Sequence, residues 1–148
     1  MRQVFAAVLL FVSIGARAQF GSQVDLFSYT DADGVSEKFV ITPGRAEKIP
    51  KWEPARTPPP LSLEQAVAVA DTWLKKKYPD VKAFSISRIT IAELSPRPTY
   101  ANRWYYELDF DAIVGGKRGG GSRFMAVVLF DGSVVEPKPN TPRKPASR

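Results

Sequence analysis

Three carboxylates, Glu107, Asp109 and Asp111, alternate along one stretch of this 148-residue chain. Side chains two apart on a strand share a face at a spacing of roughly 7 Å, which suits paired acid and base work on a glycosidic or similar bond. The same alternation also writes an ordinary solvent-facing strand. No neighbouring residue marks a group that would perturb these acids, so hydrolysis by them is the reading of last resort. The chain has no His and no Cys, which removes the Ser-His-Asp triad, thiol nucleophiles and the usual zinc and haem ligand sets. Asp31 and Asp33 before Gly34 resemble the start of a calcium loop, but the later ligand positions and the closing bidentate Glu are missing, so they read as turn residues. The segment Gly115-Gly116-Lys117-Arg118-Gly119-Gly120-Gly121-Ser122 would cradle phosphate only if it opened directly into a helix. Strand patterns flank it on both sides, so it reads as a flexible hairpin connection, with Lys117, Arg118 and Arg123 as a weak surface-binding option. Lys75-Lys76-Lys77 reads as the cationic end of a helix. No catalytic residue, cofactor or metal is expected.

The elements that carry these residues are written by periodicity. Ser62 followed by Gln65 forms a capping box, with Leu61 placed to pack back over the first turn. Leu63, Val67, Ala70 and Leu74, widened by Ala66 and Trp73, then give a helix one apolar face that ends at Tyr78-Pro79-Asp80. From Val81 to Glu93, Phe84 and Ile86 fall on one phase and Ile89 and Ile91 on the other, which implies a bulge or strong twist near Ser87-Arg88. Arg103 to Asp111 alternates cleanly. Trp104, Tyr106, Leu108 and Phe110 turn toward the helix, while Tyr105, Glu107, Asp109 and Asp111 turn away. Ser122 to Phe130 is apolar on both phases, so its strand is central, and Asp131-Gly132 turns it into the short return strand Ser133 to Glu136. Tyr105, Met125, Val127 and Leu129 therefore form an apolar stripe on the face away from the helix, and such a stripe must bury against something. A protein partner would cover it, and these four residues are the partner-binding candidates. A fold-back of residues 19–42 would cover it equally well, and both readings stand.

The ends of the chain set its compartment. Met1 and Arg2, the apolar run from Val4 to Ile14, and Ala16-Arg17-Ala18 read as a signal peptide over residues 1–18, cleaved between Ala18 and Gln19. That run is too short to span a bilayer, which takes about 20 apolar residues, so no transmembrane segment is expected after cleavage. The mature protein is expected in the periplasm or outside the cell. Its formal charge of +6 falls by two with Arg2 and Arg17, and Lys138, Arg143, Lys144 and Arg148 account for what remains. The folded part is then near neutral, which argues against nucleic acid as a partner. Asp31-Ala32-Asp33-Gly34 between two alternating runs gives a β-hairpin in residues 19–42. Pro43 to Pro60 reads as an extended linker, and 137–148 as a disordered basic, proline-rich tail.

Ser62-Leu63-Glu64-Gln65-Ala66, Tyr78-Pro79-Asp80-Val81, Arg103-Trp104-Tyr105-Tyr106-Glu107-Leu108 and the closing run Val127 to Glu136 together resemble a PepSY-type domain, the cystatin-like module of peptidase propeptides and cell-envelope proteins. The resemblance covers Ser62 to Glu136. It implies an α+β fold in which one helix packs on a curved antiparallel sheet, in helix-strand-strand-strand order after the hairpin. It also implies a non-enzymatic binding module without cofactor, of the kind that modulates peptidases. The alternative is a structural protein touching envelope polymers through its hairpin and basic tail.

Overall fold

The computed structural model describes residues 23–30, 34–94 and 98–140, with the side chains of 118–123 outside the description. The signal peptide expected over residues 1–18, the turn expected at Asp31 to Asp33 and the last eight residues lie outside the described residues.

The fold is α+β, with two helices and two separate antiparallel sheets. This corrects the expectation of one helix on a single curved sheet. β1 (Val24–Thr30) and β2 (Ser36–Ile41) pair as a hairpin, and β7 (Pro137–Pro139) joins the far side of β2. The second sheet runs β3 (Phe84–Glu93), β4 (Trp104–Val114), β5 (Lys117–Leu129) and β6 (Val134–Val135) in that order. Only Glu136 separates β6 from β7, so the chain leaves one sheet and enters the other within one residue. A bend of that kind is how a strand turns the corner between two packed sheets.

Helix α2 (Leu63–Lys77) begins with the reciprocal cap: Gln65 N donates to Ser62 Oγ at 3.2 Å, and Ser62 N donates to Gln65 Oε1 at 3.0 Å. It packs across β4, β5 and β6. Its buried line is Ala66, Ala70 and Leu74, whereas Leu63 stays 38% exposed. The apolar face is thus turned slightly from the one the sequence pattern centres on Leu63 and Val67. Small alanines against the sheet let the helix approach closely, and Tyr106, Leu108, Phe110, Ala126 and Val128 fill the space beneath it.

The proline-rich connector is not a free extended linker. Its first six residues form α1 (Pro43–Lys48), capped by Thr42, whose Oγ1 accepts from Arg45 N at 3.3 Å. Pro43 falls at the first helical position, where its missing N–H costs nothing and its fixed φ favours the helix. Farther on, Trp52 N donates to Asn102 O at 2.7 Å and Trp104 Nε1 donates to Trp52 O at 3.1 Å. The Trp52 ring lies edge-on to Trp104, with centroids 5.6 Å apart, and 5.4 Å from Phe130. Asn102 holds φ at 62°, a left-handed turn that asparagine tolerates, and so presents the carbonyl that Trp52 needs.

The tail also begins with structure. Lys138 lies opposite Lys38 in the β2–β7 ladder, and Asn140 N donates to Ser36 O at 2.8 Å. Prolines are tolerated there because β7 is an edge strand with one neighbour. The Gly-rich connection is a tight turn: Gly115 and Gly116 hold φ at 59° and 75° between the paired Val114 and Lys117, as a two-residue hairpin requires. The remaining glycines fall within β5, where the ladder register shifts opposite Asp111 and Ile113.

Candidate functional site

Tyr105, Met125, Val127 and Leu129 share one face of the second sheet, as their phase requires, but the chain itself covers them. They are 3%, 3%, 0% and 0% exposed, in one apolar cluster with Val24, Phe39 and Ile41 of the first sheet. Tyr105 Oη donates to the carbonyl of Leu26 in β1 at 2.9 Å. Burial, with Glu107 close by, pushes the Tyr105 hydroxyl far above the usual phenol range. Of the two coverings open to the stripe, the fold uses residues of the first sheet, and the four candidates are interior residues of the free protein.

The alternating carboxylates lie on that same side. Asp109 is buried, and its Oδ2 accepts from Arg88 Nε at 2.6 Å. The pair bridges β3 and β4, where Arg88 and Asp109 stand opposite each other. Their arrangement is that of a cross-strand tie, and among the described residues no group of three or more acids is placed to hold a metal ion. At the end of α2, Lys75 pairs with Asp71 at 2.6 Å. Lys77 Nζ sits 4.9 Å and 5.2 Å from the ring centroids of Trp73 and Tyr78, a cation held on aromatic faces.

The surface that stands out lies elsewhere. β3 is an edge strand of ten residues, paired among the described residues with β4 alone. Its ladder shifts register between Ile86 and Arg88, where the sequence changes phase. The shift does something specific. Phe84 and Ile86 stand opposite Ala112 and Phe110, and Ile89 and Ile91 stand opposite Leu108 and Tyr106, so the extra residue brings both phases onto the helix side of the sheet. Phe84 and Ile86 pack against the core. Ile89 and Ile91 extend past it and remain 38% and 43% exposed.

The helix leaves this shelf open. Trp73 Nε1 donates to Glu136 at 2.6 Å, which points that flank of α2 toward β6. Val67 lies on the opposite flank of the helical wheel, while Leu63 is in line with the buried Ala70 and Leu74 and is exposed at the first turn. Ile89 and Ile91 on the open edge, with Leu63 at the start of α2, are three of the five large apolar side chains exposed on the described surface. On this edge, which has no Pro, the irregularity at Ser87 and the charges of Arg88 and Glu93 are the protections against strand pairing, and the run from Ile89 to Ala92 between those charges is regular and uncharged. The sequence contained the signal, a phase change inside a β-branched run, but that change marks an irregularity and does not tell that this strand lies at the edge.

Among the described residues no helix is long and apolar enough to cross a membrane. Comparison of the chain with protein-family models, curated proteins and solved structures finds no match.

Proposed function

We propose that the chain is an exported, non-enzymatic binding module that takes up an extended segment of a partner protein as an added strand on β3. The observation that supports it most directly is the open ten-residue edge with Ile89 and Ile91 exposed beside it. A strand is the ligand that fits, because only extended backbone answers a row of ladder N–H and C=O groups, while side chains at alternate positions of the ligand meet the apolar shelf. Export rests on the leader pattern of residues 1–18. The resemblance of Ser62 to Glu136 to PepSY-type modules makes an envelope peptidase the partner class to examine first.

The test uses the double variant Ile89→Lys/Ile91→Lys. Both positions are exposed, so the melting temperature is expected to change little, while capture of the partner from the envelope fraction is lost. Val114→Lys, at an apolar residue 70% exposed away from the shelf, retains capture. Unchanged capture by the double variant would refute strand addition at β3.

A further inference from the structure

Resting on the reading of β3 as the binding edge, we infer that two copies of this chain close each other's edges, β3 against β3 in antiparallel register, so that the binding surface is masked until a partner strand displaces the second copy. The argument is one of register. A two-fold axis normal to the sheet keeps every side chain on its own side, so the residues facing one another must share a face. An axis at Arg88 sets two guanidinium groups against each other. One at Ile89 places Ile91 opposite Ser87 and leaves half the apolar stripe unmatched. At Ile91, the axis buries Glu93 against Ile89.

The axis at Thr90 has none of these faults. Ile89 faces Ile91 of the second copy and the reverse, giving a four-isoleucine cluster on the helix side. On the other side Thr90 faces Thr90, a favourable cross-strand pair, and Arg88 faces Ala92 while remaining tied to its own Asp109. Ser87, the residue left over by the register shift, faces Glu93. The stripe that a lone chain leaves half exposed is self-complementary in this register, and the two four-stranded sheets become one of eight strands.

The absence of Cys from the whole chain makes the test clean. In the full-length secreted protein, Thr90→Cys places two thiols across the axis at a Cα separation of about 4.5–5.5 Å, inside the range a disulfide accepts. Under mild oxidation it is expected to form covalent dimer more than about tenfold faster than Val114→Cys at equal concentration, because paired edges raise the local thiol concentration. Sedimentation of the unmodified protein should show a concentration-dependent dimer that Ile91→Lys abolishes. Equal cross-linking of the two cysteine variants, or a monomer at every concentration, would overturn the inference. A synthetic peptide of residues Phe84–Glu93 separates this outcome from failure of the binding reading. If the monomeric protein still binds that peptide and Ile89→Lys/Ile91→Lys does not, strand addition stands without self-masking. If neither peptide nor second copy binds, both fall.

Discussion

Val127 is completely buried between the two sheets, and its neighbours on the same face are closed off by the first sheet. Val127→Glu is therefore expected to destabilise the free protein by at least about 3 kcal/mol, since a carboxylate placed there has no partner and no water. A thermal melt checks this, and an unchanged melting temperature would show that the first sheet does not seal that face. Tyr105 gives a second test on the same face. Its hydroxyl titrates above the phenol range in the folded chain because burial disfavours the anion, whereas the unfolded value is about 10. A raised folded value contributes stability that is complete below the unfolded value and is lost as pH climbs from there toward the folded one. Denaturant melts between pH 9 and about 12 should show that loss, and Tyr105→Phe should lessen it, leaving the part due to Tyr106, which burial also raises, while costing about 1 kcal/mol at neutral pH for the hydrogen bond to Leu26. The alternation of Trp104 to Asp111 displayed the two faces plainly in the sequence. What covered the second face was not readable there, because the contact joins Leu26 to Tyr105 across about half of the chain and leaves no periodic trace.

Among the elements, α2 was the most readable, because its cap and its apolar repeat are local facts. The connector was misread for an equally local reason: its proline content was weighed before the position of each proline. Pro43 directly after a capping Thr42 is a helix start, and Trp52, isolated in a polar stretch, was the sign that the segment is pinned. The tail shows the same error in another form, since Pro137 and Pro139 suit an edge strand that composition alone makes look disordered. A chain ending at Glu136 should lose about 2 kcal/mol relative to one ending at Asn140, because it loses the β2–β7 ladder and the Asn140 contacts with Ser36, each buried hydrogen bond contributing about 1 kcal/mol. Equal unfolding midpoints in urea would mean that β7 adds nothing to the first sheet. The open edge was half visible: the phase change at Ser87-Arg88 predicted the irregularity, but its place at the margin of the sheet depends on strand order, which local pattern does not encode.

Across the molecule, the two sheets are one cooperative body because a single backbone passes from β6 to β7 and because side chains of both meet in one core. The helix protects one face of the larger sheet, the smaller sheet protects the other, and the lateral margin at β3 has no neighbouring strand beyond β4 among the described residues. The corner at Glu136 also bears on the order of events as the chain is made. The central strand of the first sheet, β2, acquires its second neighbour from residues close to the C-terminus, a closure of nearly the longest loop the chain offers, and such distant pairings form late. A polypeptide delivered through a membrane N-terminus first would arrive on the far side with its opening hairpin formed and β2 still lacking that second neighbour. Until the residues of β7 emerge, the sheet that covers Tyr105, Met125, Val127 and Leu129 would stand as the β1–β2 hairpin alone, with one side of β2 still to be filled.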